Sequence, residues 1–81
     1  MLEPYLTDHV RRRLAQKGIS VEAVDLVCNA YSDHEYDEIN DSFKLRGMVT
    51  GGLLEVCVTA TSFYRPRKVV KTAYWLQRLG E

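Results

Sequence analysis

The sequence predicts an α+β domain with two helices first and an antiparallel sheet after them. Three observations carry this. Apolar residues recur with helical spacing over the first third of the chain, with Leu6, Val10 and Leu14 four apart. From about residue 34 the period drops to two, best seen in "SFKLRGMV" and "LLEVCVTATS". Turn signals separate the segments: Gly18, the "TGG" at Thr50–Gly52, and Pro66.

The first helix is expected over about residues 7–17. Thr7 or Asp8 can accept from the free N–H groups of its first turn, and Gly18 suits the left-handed position that ends it. His9, Arg12, Arg13 and Gln16 share a face beside the apolar stripe. The second helix is expected over about 20–30. Ser20 caps it, Glu22 sits in its first turn, and Val21, Val24, Val27, Cys28 and Tyr31 form its apolar side.

Three or four strands are expected to follow as an antiparallel meander. An edge strand over about 34–40 alternates weakly, with Tyr36 turned inward. A second strand covers about 42–50. A third, over about 53–62, puts Leu54, Val56, Val58 and Ala60 on one side and is mildly polar on the other, which suits an interior position. "FYRPR" breaks the pattern, because Pro66 has no N–H for a ladder. The last strand, over about 68–75, places Val70, Thr72 and Tyr74 on one face and Val69, Lys71, Ala73 and Trp75 on the other, with "LQRLGE" as a tail. The helices should cover one sheet face and leave the other open.

The chain has 81 residues, 46% of them apolar, which fits one small globular domain. Its apolar runs fall far short of the ~20 residues of a membrane helix, and "MLEPYLTDH" lacks the features of a signal peptide. A cytoplasmic protein that does not engage a membrane is therefore expected. Cys28 and Cys57 lie among apolar neighbours, with no further ligand at zinc spacing. They read as buried thiols, and neither a metal nor another cofactor is expected. The formal net charge is zero, but the charges are segregated. Ser20–Asp41 carries acids and no Lys or Arg, whereas Arg65–Arg78 carries bases and no acid. Either the two segments neutralise each other across the fold, or a basic surface faces a polyanion or an acidic protein.

His9-Val10 with Arg13, the turn Gly18-Ile19-Ser20, the hairpin pattern of Gly47, Gly51, Leu54 and Val56, and the closing Val70, Thr72 and Tyr74 occur in this order along nearly the whole chain. Together they resemble the domain-of-unknown-function 4258 family, which is similar to the BrnT and RelE-like toxins among the barnase- and colicin-like ribonuclease folds. The resemblance implies a toxin-like, metal-independent endoribonuclease held by an antitoxin-like protein. In such cleavage the ribose 2′-OH attacks the adjacent phosphorus, assisted by a base, an acid and cations. The implied catalytic set is His9, Arg13, Thr72 and Tyr74. Arg12, Tyr64, Arg65, Arg67 and Lys68 are the expected substrate contacts, with Tyr64 available to stack on a base. Lys71 joins Thr72 and Tyr74 in one pocket only if the last strand bulges. Each of these residues also has a plain structural role open to it: helix-face charges, sheet packing, a solvated hairpin tip. The alternative function is a non-catalytic module that binds a protein or a second copy of the chain.

Overall fold

In a computed structural model, residues 3–79 are described. Helices α1 (Asp8–Gln16) and α2 (Val21–Ala30) precede strands β1 (Asp33–Asp37), β2 (Ser42–Val49) and β3 (Gly52–Thr59). A single helical turn, α3 (Ala60–Phe63), leads on to the final strand β4 (Val70–Arg78). The four strands form one antiparallel sheet in the order β1-β2-β3-β4. Helix α2 packs on β2 and β3, and α1 packs on β4. This is the expected α+β architecture, with both helices on one sheet face. Among the described residues, no helix is long and apolar enough to cross a membrane.

Local chemistry explains the helix ends. The Thr7 hydroxyl accepts from the Val10 N–H at 3.2 Å, and the Ser20 hydroxyl accepts from the Ala23 N–H at 3.1 Å. Gly18 takes φ +69°, which lets the Ile19 N–H return to the Leu14 carbonyl at 2.9 Å. Leu14, Val24, Val27, Leu45, Leu54, Val56 and Val58 are fully enclosed between helices and sheet. Each contributes roughly 1.5–3 kcal/mol by leaving water.

Four features depart from the expected boundaries. The first strand stops at Asp37, because the Asp37 carboxylate accepts from the backbone N–H groups of Ile39 and Asn40 and closes a turn. The third strand ends at Thr59 rather than at 62. There the Thr59 hydroxyl donates to Ser62 Oγ at 2.7 Å, the Ser62 hydroxyl to the Thr59 carbonyl at 3.0 Å, and the chain coils into α3. The last strand begins at Val70 and runs on to Arg78, so Leu76, Gln77 and Arg78 of the supposed tail are strand, with Gln77 and Arg78 paired to the start of β3. Tyr5 forms a parallel bridge with Val69, donating to the Lys68 carbonyl and accepting from the Val70 N–H. No sequence signal announced that bridge.

The β3–β4 ladder is also irregular. Cys57 pairs with Thr72 but Val58 pairs with Val70, which leaves Lys71 as an extra residue. A strict alternation would put Val70 with Thr72 and Tyr74. The bulge instead turns Val70 and Ala73 into the core, at 2% and 0% exposure, and leaves Thr72 and Tyr74 on the open face.

Cys28 and Cys57 are both free and buried. Desolvation pushes the Cys28 thiol from its ordinary 9.0 up to about 12, opposed in part by the charge of Lys68. Its folded value lies above its unfolded one, so its contribution to stability is complete below pH 9.0 and is lost as the pH rises toward 12. Urea titrations should show wild type losing up to about 1.4 kcal/mol per pH unit more than Cys28→Ala in that window. Parallel pH profiles would show that the thiol is not held neutral.

Candidate functional site

The open sheet face is organised as cross-strand rows. One row runs Asp33, Arg46, Glu55, Tyr74, and the next Glu35, Lys44, Cys57, Thr72. A third starts Asp37, Ser42, Thr59 and ends at the bulge. Alternation along each strand places these side chains on the same side of the sheet.

Arg46 gathers both acids of the first row and Glu35 of the second. Its guanidinium contacts Glu35 at 2.6 Å, Glu55 at 2.8 Å and Asp33 at 2.9 Å. The Glu55 side chain is only 3% exposed, so this is a buried carboxylate that depends on one cation. The hydrogen bonds that the guanidinium donates to Glu35, Asp33 and Glu55 hold its pKa above its ordinary value. Part of the acidic middle segment is thus neutralised by a residue of its neighbouring strand, rather than by the basic C-terminal segment.

Beside this network lies a concavity of about 310 Å³ lined by Asp37, Asn40, Ser42, Lys44, Cys57, Lys71, Thr72 and Tyr74. The bulge is what brings Lys71 into the same lining as Thr72 and Tyr74. Lys71 is steadied by donating to the Asn40 carbonyl at 2.9 Å. Lys17, just past the end of α1, reaches across to Thr72 Oγ1 at 3.3 Å and the Ala73 carbonyl at 3.0 Å. Its ammonium lies 6.0 Å from the Tyr74 ring centroid. Two lysines, Lys44 and Lys71, therefore line the concavity together with the hydroxyl groups of Ser42, Thr72 and Tyr74 and one carboxylate, Asp37, while Lys17 bonds Thr72 from outside the lining.

That carboxylate is occupied. Asn40 donates to it from its side chain at 2.8 Å, and the backbone N–H groups of Asn40 and Ile39 donate as well. The side-chain bond from Asn40 is the main reason its pKa lies below the usual range, and Lys44 adds to the effect. Cys57 titrates higher than an ordinary thiol, first through burial and then through Glu55, so it is no ready nucleophile.

The residues singled out from sequence separate into three places. Thr72 and Tyr74 line the concavity. His9, Arg12 and Arg13 are exposed on α1 and do not line it. Among the described residues, Arg13 makes no ion pair with Asp37 or Glu38. Tyr64, Arg65, Arg67 and Lys68 form the α3–β4 connection, with Arg67 donating to the Glu3 carbonyl at 3.1 Å and stacked 5.6 Å from the Tyr5 ring. Sequence reasoning passed over Lys17 and Lys44. Lys17 stands one turn beyond Arg13 on the same helix side, and Lys44 alternates onto the polar side of its strand, so both signals were present.

No family model, curated protein or solved structure matches the chain. The functional reading rests on this concavity and on the resemblance drawn from the sequence.

Proposed function

We propose that this protein is a toxin-like RNA-directed domain that holds a backbone phosphate in the open-face concavity. The observation that carries the reading is the bulge at Lys71, which adds a second strand lysine to Lys44 beside the hydroxyl groups of Thr72 and Tyr74. Lysines act on phosphate as point charges, and hydroxyl groups supply the shorter-range donors. Lys17 fixes Thr72 and adds a third positive charge at the rim.

Cleavage asks for more than cations. A base must take the 2′-OH proton, and an acid must protonate the leaving 5′-oxygen. Tyr74 is placed to serve as a proton donor. The lining carboxylate, Asp37, is already an acceptor of three hydrogen bonds and is held weakly basic. His9 stands outside the lining. This geometry favours holding RNA over cutting it, and the endoribonuclease stands as the second reading because a phenol and two lysine side chains share the lining.

Fluorescence anisotropy with a short single-stranded RNA tests the proposal. Lys44→Ala/Lys71→Ala should bind about 10- to 100-fold more weakly than wild type. The slope of log K against log salt should fall by about 0.7, for the loss of one phosphate contact on a single strand. Unchanged affinity in the double variant would sink the reading. The same samples, run on a denaturing gel, separate the two versions: RNA recovered whole supports binding, and RNA shortened to cyclic-phosphate ends supports the endoribonuclease.

A further inference from the structure

On the helix side of the sheet, at the same end as the concavity, lies a cluster of aromatic rings. Phe43 and Phe63 stack with centroids 3.9 Å apart and planes 14° from parallel. Tyr64 stands edge-on to both, 4.8 Å from Phe63 and 6.0 Å from Phe43. Tyr36 leans on Phe43 from the other side at 5.2 Å. Fold stability does not require the outer rings to be uncovered, yet Tyr64 is 83% exposed and Tyr36 48%. The Tyr36 hydroxyl donates to Asp41 at 2.8 Å, which takes up a carboxylate at the rim.

The cluster is cationic on its other flank. The Lys68 ammonium lies 5.7 Å from the Phe63 ring centroid. Tyr64 opens the segment that carries Arg65, Arg67 and Lys68 and ends at Lys71 in the concavity. Phe43 itself lies between Ser42 and Lys44 on β2, so adjacent residues of one strand serve the two sides. Along this segment Lys68 therefore stands against the aromatic cluster and Lys71 in the phosphate seat. Stacking rings beside cations are what an unpaired base attached to a bound backbone requires. An apolar protein segment would not call for this string of cations.

We infer that the exposed rings of Tyr64 and Tyr36, braced on Phe43, form a stacking shelf for an unpaired base of the RNA whose phosphate occupies the concavity. This rests on the RNA reading above and goes beyond it by assigning a base-recognition surface.

The test compares a six-nucleotide single-stranded RNA with an abasic ribose-phosphate oligomer of the same length, both measured by anisotropy. Wild type should bind the RNA about tenfold more tightly than the abasic oligomer, in line with the loss of one stacked base. Tyr64→Ala should remove that preference, leaving abasic binding and the salt slope unchanged, and Tyr64→Phe should restore it. Because Tyr64 is exposed, its truncation should leave the melting temperature in place. If Tyr64→Ala binds both oligomers as wild type does, or weakens both equally, the shelf is wrong, and the phosphate reading stands as long as Lys44→Ala/Lys71→Ala still loses affinity. If wild type binds neither oligomer, both proposals fall.

Discussion

Gly52→Ala is expected to be the most damaging single substitution in the sheet, costing about 3 kcal/mol or more. Gly52 opens β3 with φ +142°, a conformation that a residue with a side chain rarely adopts. A methyl group there would fall on the carbonyl oxygen of Gln77 and lie 3.0 Å from the Arg78 Cα. Both obstacles are backbone of the neighbouring strand, so no side-chain rotation relieves them. The β3–β4 ladder would have to part at this end, where Leu79 also donates to the Gly51 carbonyl at 2.7 Å. Gly47→Ala is the natural control. Its methyl would meet Val27 Cγ2 at 3.4 Å, an ordinary contact, and should change stability by less than about 1 kcal/mol. Urea unfolding of both variants checks the contrast. Equal losses at the two sites would show that the close approach of Gly52 to β4 is not what requires a glycine.

Arg46→Met is expected to follow closely, at about 3 kcal/mol. The loss comes less from the three ion pairs than from what they leave behind. Asp33 and Glu35 are 61% and 58% exposed and return to water at little cost. Glu55 is 3% exposed and keeps a charge with no cation beside it. Two exposed acceptors contribute little, so the figure sits at the low end of the range for a broken buried pair. Arg46→Met/Glu55→Gln should recover most of the loss, because the buried charge is then gone. If the double variant is as unstable as the single one, the cost lies in lost packing of the Arg46 stem and not in a stranded carboxylate.

The concavity shares its sheet face with this network and is sensitive to it. Arg46 balances Asp33, Glu55 and also Glu35, which stands opposite Lys44, and so leaves the lysines to set the charge of the concavity. A folded Arg46 variant should therefore bind RNA less tightly than wild type, since uncovered Glu35 and Glu55 would face the lysines.

Much of the fold was legible because local and tertiary signals agree. Thr7, Ser20 and Gly18 mark helix ends by chemistry that acts within three or four residues, and each does in space what it does in sequence. Leu54, Val56 and Val58 alternate as a buried strand should. The features that escaped depend on contacts far apart in the chain. Nothing near Tyr5 shows that it will pair with Val69, and nothing near Leu76 shows that β4 will continue to Arg78 against Gly52.

The site divides along the same line. Thr72 and Tyr74, singled out by their motif, both line the concavity. Lys71 was excluded from their face by strict alternation, and one unpaired residue in the ladder reversed that. His9 and Arg13 do share a helix side, but that side lies outside the concavity, and the residue that reaches the strand from α1 is Lys17 at its end. A helical face predicts neighbours along the helix. Which of them meets the sheet is decided by the crossing of α1 over β4, which the sequence does not spell out.

The most direct measurement is an NMR titration of the isotope-labelled protein with a short single-stranded RNA. The account predicts that the amide signals of Lys44, Lys71, Thr72 and Tyr74 move together and saturate, with Lys17 moving alongside them. Signals that stay fixed at these positions, or that move only around His9 and Arg13 on α1, would contradict it.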